Sequence, residues 1–151
     1  MDKKDLFNLA KEAMKNSYAP YSNYNVGASL LCINGNVYKG CNIENASYSL
    51  TNCAERTAVF SAVSHGEKEF EAICIVGGKN GVITDYAMPC GSCRQVLAEF
   101  CDADFKVYVG INENDIKEFK LGELLPCSFN KSKLGDWYEN LWYYREKAWR
   151  S

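Results

Sequence analysis

Leu6, Phe7, Leu9, Ala10, Ala13 and Met14 recur at helical spacing near the start of the chain. They predict an amphipathic helix capped by Asp2 or Asp5 and over before Pro20. The apolar run Val26 to Ile33 reads as a strand, Asn34-Gly35-Asn36 as a hairpin turn, and Val37 to Ile43 as the returning strand. Cys53 to His65 reads as a second helix, with Ala54, Ala58, Val59, Ala62 and Val63 on its apolar face and Gly66 as its stop. Ala72 to Val76 is a short strand that should end at Gly77-Gly78, and Lys79 to Met88 reads as a loop. Pro89-Cys90-Gly91 opens a third helix through Val96, Leu97, Phe100 and Cys101. Strands at Phe105 to Val109 and Ile116 to Phe119 follow, then a helical turn at Leu121 to Leu125. The aromatic tail, Gly135 to Trp149, reads as a helix. This order predicts a mixed sheet with helices packed on it, in the α/β class.

Length and composition add limits. A chain of 151 residues with 47% hydrophobic content suits one domain with a core. The net charge is -2, from 17 basic and 19 acidic side chains, whereas a nucleic-acid binder carries a concentrated basic excess. The cluster Arg145, Lys147 and Arg150 is diluted by Glu139 and Glu146 and reads as a solvated helix face. No nucleic-acid partner is expected. No signal peptide or membrane-length apolar run is evident, so the expected location is cytoplasmic and off the membrane. Eight cysteines are many for such a place. In a reducing compartment they serve metal binding, catalysis or packing more often than disulfides.

Three of the eight stand where a thiolate is favoured. Cys53 opens one expected helix, and Cys90 and Cys93 lie on the first turn of another. Unpaired amides and the partial positive charge of a helix start stabilise the anion that binds metal. Two helix starts brought together would present three sulfurs and leave a fourth tetrahedral position open, as catalytic zinc sites require. Cys-x-x-Cys alone also fits a thioredoxin-like redox pair or a four-ligand structural zinc. The latter needs another donor, and the single histidine, His65, falls at the far end of its helix, where it suits a C-cap. Glu55, two residues past Cys53, separates these readings. A carboxylate beside an activated water serves as general acid and base, although glutamate in a first helical turn is also common for dipole reasons. Cys-Ala-Glu followed by Pro-Cys-Gly-Ser-Cys matches the general pattern of zinc deaminases.

At these residues the chain resembles the small homotetrameric cytidine deaminases. The resemblance extends over Pro20-Tyr21-Ser22-Asn23-Tyr24-Asn25-Val26-Gly27-Ala28, Cys41-Asn42-Ile43-Glu44-Asn45-Ala46-Ser47-Tyr48, Cys53-Ala54-Glu55-Arg56, Pro89-Cys90-Gly91-Ser92-Cys93-Arg94-Gln95-Val96 and Leu124-Leu125-Pro126-Cys127-Ser128-Phe129. It implies a three-layer α/β/α fold with a mixed central sheet and helices on both faces. A catalytic domain over 1–134 is expected, with the 135–151 tail packed on it or on a subunit interface. The implied reaction is hydrolytic deamination of cytidine and 2′-deoxycytidine in pyrimidine salvage, with one Zn²⁺ per chain. The implied assembly is a tetramer whose active sites borrow Ala46, Tyr48 and Phe129 from neighbouring subunits.

The resemblance also distributes roles. Cys53, Cys90 and Cys93 would hold the metal and Glu55 would shuttle protons. Arg56 would hydrogen-bond to thiolate sulfur, although by itself it reads as a surface arginine. Asn42 and Glu44, two apart at a strand end, would face the ribose hydroxyls, and Glu44 would repel a 5′-phosphate. Tyr24 and Phe129 would flank the base, with Ala54 also in contact with substrate. Tyr24 departs from the family's commoner phenylalanine, and the loop from Gly77 to Met88 and the aromatic tail depart as well. Cys32, Cys41, Cys74, Cys101 and Cys127 read as packing groups. Competing readings are a deaminase for another cytosine-containing substrate, a polynucleotide deaminase disfavoured by charge, and a non-catalytic zinc or thiol redox module that would have no use for Glu55.

Overall fold

The computed structural model describes residues 1–135, so the aromatic tail from residue 136 onward lies outside the described residues. Helix α1 (Lys3–Met14) leads into strands β1 (Tyr24–Cys32) and β2 (Val37–Cys41). Then come α2 (Ala54–Ser64), β3 (Phe70–Lys79), α3 (Gly91–Phe100), β4 (Lys106–Asn112), β5 (Asp115–Lys120) and the single turn α4 (Leu121–Leu124). Among the described residues five strands form one sheet in the order β2-β1-β3-β4-β5. Only the β3–β4 pair is parallel, and α3 is its crossover. The other pairs are antiparallel.

Strict alternation along the central strands makes the layers. Ala28, Leu30, Ile73, Ile75, Val107 and Val109 face one way and bury Ala58, Val59 and Ala62 of α2 and Leu97 of α3. Leu31, Ala72, Cys74, Val76 and Tyr108 face the other way and bury Leu6, Phe7, Ala10 and Met14 of α1. The result is the expected three-layer α/β/α arrangement around a mixed sheet. Close approach of α1 to the sheet depends on Gly27, where a β-carbon would lie 2.0 Å from the Ala10 carbonyl oxygen. Asp2 is the N-cap of α1. Its carboxylate accepts from the Lys4 and Asp5 amides while the Asp5 carboxylate accepts from the Asp2 amide, the reciprocal capping box.

Two of the boundaries that differ from the hydrophobic pattern have a clear local cause. The first glycine pair does not end β3. Gly77 and Gly78 continue the ladder opposite Val26 and Asn25. A β-carbon at Gly78 would lie 1.8 Å from the Val82 carbonyl oxygen, so the glycine lets the following loop fold back over the strand. The second difference is that β2 stops at Cys41 and does not reach Ile43. The Asn42 amide still donates to the Val26 carbonyl (3.3 Å), but its side chain takes the rest of the ladder, Oδ1 accepting from the Val26 amide (2.9 Å) and Nδ2 donating to the Tyr24 carbonyl (2.7 Å). Ile43 then bridges to Tyr18 and Asn52.

The loop after β3 is braced at both ends. The Asn80 amide donates to the Asn23 carbonyl, 2.6 Å away. Tyr86 donates its hydroxyl proton to Asp115 (2.6 Å), and Lys117 sits 4.0 Å above the Tyr86 ring, a cation–π contact. The segment leading to Pro89 and Cys90 is thereby held on the β4–β5 hairpin.

Candidate metal and catalytic site

The site forms where α2 and α3 begin. Cys53 is the N-cap of α2 and Cys90 the N-cap of α3, both with extended backbone, and Cys93 lies in the first turn of α3. Neither cap uses a side-chain hydrogen bond to its helix, which leaves the sulfurs available. The Sγ atoms of Cys53 and Cys90 are 3.8 Å apart, those of Cys90 and Cys93 are 3.5 Å apart, and all three lie within 4.8 Å of one another. A disulfide needs about 2.05 Å. A tetrahedral zinc with sulfur at about 2.3 Å needs its ligands roughly 3.8 Å apart. The spacing therefore suits a shared metal ion. His65 is the exposed C-cap of α2, with Nδ1 bonded to the Ser61 carbonyl at 2.8 Å, and stands at the other end of the helix from the thiols.

Electrostatics divide the three thiols. Hydrogen bonding from the Cys93 thiol, helped by Arg56 and Cys90 and opposed by burial, pulls Cys53 down to about 5. Cys93 moves the opposite way because it acts as proton donor to Cys53 and is itself buried. Without metal the cluster thus carries its first negative charge on Cys53. Arg56 donates from Nη2 to Cys53 Sγ at 3.3 Å, and this bond holds the guanidinium in its charged form. Glu55 is 4% exposed. Burial is the main cause that pushes its carboxyl up to about 7, and the Cys53 charge adds to it. A carboxyl poised there takes and gives protons near neutral pH.

The expected sugar and base residues are placed unevenly. Asn42 is buried, and Glu44 is half-buried, with Oε1 accepting from the Tyr21 (2.9 Å) and Ser22 (3.1 Å) amides. From beyond a strand end, Asn42 reaches the first residues of β1 and Glu44 the Tyr21–Ser22 segment just before them. Tyr21, Ser22, Glu44, Tyr48 and Thr51 line an open pocket of about 360 Å³, with the Tyr21 and Tyr48 rings 5.5 Å apart. Tyr24, Ala46, Tyr48 and Phe129 are exposed, while Ala54 is fully buried at the start of α2. The Phe129 carbonyl accepts from Gln95 Nε2 (2.7 Å), which fixes the backbone and leaves the ring outward.

Several contributors have no role in the sequence reading. Arg94 donates from Nε to the Pro89 carbonyl (2.8 Å) and from Nη1 to the Leu124 carbonyl (2.6 Å), tying the approach to Cys90 to α4. Thr57 donates to the Cys53 carbonyl at 3.1 Å and accepts from Asn52. Ser17 and Asn25 bond to each other and, through Ser17, to Asn42. One signal could have found Arg94, and it applies to Arg56 as well. Arg56 and Arg94 are cations in the first turns of their helices, where the dipole disfavours them, so each needs a partner that outweighs it. For Ser17 and Asn25 the sequence offers no such signal.

Arg56 gives the first prediction. Arg56→Ala should lower zinc affinity or turnover about 10–100-fold, the usual range for a group that bonds to a metal ligand. Zinc retention in a competing chelator and initial rates measure it, and unchanged values for both would remove Arg56 from the mechanism.

Comparison with known proteins gives a consistent result. The sequence profile described as the cytidine and deoxycytidylate deaminase zinc-binding region matches residues 1–110. The cytidine deaminase of Sporosarcina psychrophila is 47% identical over 134 residues, covering 89% of this chain and 96% of the relative. That of Halalkalibacterium halodurans is 48% identical over 136 residues, covering 90% and 100%. The crystal structure of cytidine deaminase from Burkholderia pseudomallei superposes with a TM-score of 0.78 at 45% identity, over 85% of this chain and all of that one.

Proposed function

Because the chain belongs to the cytidine and deoxycytidylate deaminase family, we propose that Cys53, Cys90 and Cys93 hold its zinc and that Glu55 moves the protons in its hydrolytic deamination of cytidine. The observation that carries this assignment is a buried carboxyl at the start of α2 beside three thiols whose sulfurs lie within 4.8 Å of one another. When bound, zinc supplies Lewis acidity that brings the pKa of water toward 7.

Glu55 accepts a proton from the attacking water and delivers it to pyrimidine N3. That protonation leaves C4 electron-poor as the water oxygen adds there. Glu55 then takes the proton of the new C4 hydroxyl and passes it to the amine on C4, which leaves as ammonia as the C4 carbonyl of uridine forms. Three thiolates around a dication leave a net negative formal charge that opposes water ionisation. Arg56, bonded to Cys53, and the two helix starts offset part of it. Tyr24 and Phe129 stack on the base, the latter from a neighbouring subunit together with Ala46 and Tyr48. Ala54 contacts the base from the start of α2. Asn42 and Glu44 take the ribose hydroxyls, and the Glu44 charge disfavours a 5′-phosphate. Exposure of the Tyr48 and Phe129 rings (72% and 64%) supports a homotetramer with shared sites. 2′-Deoxycytidine is a second substrate, and the reaction serves pyrimidine salvage in the cytoplasm. Among the described residues no helix is long and apolar enough to cross a membrane.

The test is a paired measurement on the purified protein: zinc per chain, and loss of cytidine followed by ultraviolet absorbance. The expected result is stoichiometric zinc with steady turnover. Zinc-loaded protein that leaves cytidine unchanged would overturn the assignment.

A further inference from the structure

Asn42 is the buried polar side chain of the sugar side, and its amide is held by named partners. Its Oδ1 accepts from the Val26 amide and from the Ser17 hydroxyl. Its Nδ2 donates one proton to the Tyr24 carbonyl. Ser17 is itself oriented, because Asn25 Nδ2 donates to Ser17 Oγ at 3.1 Å. An amide nitrogen has no lone pair to give, so Asn25 must be the donor in that bond. The Ser17 proton is then free to point at Asn42. A carbonyl oxygen offers two lone pairs, and both on Asn42 are taken. Oδ1 therefore faces inward, and a single Nδ2–H remains without a partner among the described residues.

From this geometry we propose that Ser17 and Asn25 are positioning residues. Together with the Val26 amide and the Tyr24 carbonyl they lock the Asn42 amide so that it meets the substrate sugar as a hydrogen-bond donor. The inference rests on the reading of Asn42 as a ribose contact. It adds two residues that do not touch substrate, and it gives Asn42 a direction. A sugar hydroxyl bound there must accept from Asn42, which leaves its own proton for the Glu44 carboxylate. With the amide turned over, Asn42 would present an acceptor beside that carboxylate, and one hydroxyl proton cannot serve both. The lock thus sets which hydroxyl-bearing sugars fit, without a role in the chemistry at C4.

The experiment compares cytidine with 2′,3′-dideoxycytidine, which lacks both ring hydroxyls. Ser17→Ala and Asn25→Ala should each raise KM for cytidine about 2–10-fold, the worth of one net hydrogen bond. They should leave kcat and the dideoxy substrate's KM unchanged. Ser17→Thr, which keeps the hydroxyl, should restore the cytidine KM, and thermal melting confirms that each variant is folded. Equal KM shifts for both substrates, or none, would overturn the lock. Asn42→Ala separates the two levels of the argument. If it raises KM for cytidine alone while the Ser17 and Asn25 variants do nothing, the sugar contact stands and the lock fails. If Asn42→Ala does not distinguish the substrates, the sugar contact itself is wrong and the lock falls with it.

Discussion

Glu55→Gln should keep stoichiometric zinc and lose turnover of cytidine by about 10²–10⁴-fold, the usual contribution of a positioned general acid and base. Glutamine has the same shape and fills the same buried place at the start of α2. It accepts a hydrogen bond but cannot take a proton from water or carry one to N3. The thiol triangle does not include Glu55, so the metal should stay. Two pH effects follow from a carboxyl pushed up to about 7 by burial. The base form is lost as pH falls through the Glu55 titration, so the acidic limb of the wild-type rate profile should vanish from the variant's residual activity. In metal-free protein the sign for stability is the reverse. Between the ordinary 4.5 and about 7 the unfolded chain has ionised while the folded chain still holds the proton. The Glu55 contribution to stability therefore falls as pH rises through that window, opposing the gain from Cys53, and the variant's stability should rise more steeply with pH there than the wild type's. Rates, metal content and melting curves at several pH values test this. A variant that loses zinc in proportion to activity would give Glu55 a metal-holding role and remove it as proton carrier.

The cluster of three thiols was legible in the sequence because helix starts are local features. Cys53, Cys90 and Cys93 needed only the recognition that two apolar periodicities begin there, and the structure joins them at 3.5 to 3.8 Å. The layers were legible for the same reason, since alternation along β1, β3 and β4 is written residue by residue. What was not legible depends on distant pairs. Nothing local says that the Asn42 side chain will stand in for strand backbone opposite Tyr24 and Val26, and so end β2 early. Nor does Gly77-Gly78 reveal whether a glycine pair breaks a strand or lets a loop pack upon one. Ser17 matters through Asn42, 25 residues away, Arg94 through Leu124, 30 residues away, and Asn25 through Ser17, 8 residues back.

Cys93→Ala and Cys74→Ala make the same small change at two buried thiols, and their outcomes should be opposite. Both side chains are 0% exposed, so each variant loses comparable packing. Cys74 sits in the core between β3 and α1, where burial pushes its thiol up to about 12 and keeps it neutral. Its loss should cost some stability through a small cavity and leave zinc and kcat intact. Cys93 lies 3.5 Å from Cys90, and its loss leaves two thiols where a catalytic zinc needs three protein ligands. Zinc content and cytidine turnover should both fall to background. Melting temperature should drop further than for Cys74→Ala, since bound metal stabilises only the folded state. Chelation of the wild-type protein should reproduce the loss, and added zinc should restore activity there but not in Cys93→Ala. Chelation should also expose a reactive thiolate at Cys53, held down at about 5, so that iodoacetamide labels it below neutral pH while Cys74 stays protected. Full activity in Cys93→Ala with normal zinc would show that the triangle of sulfurs is not the site of the metal, and the mechanism built on it would fall.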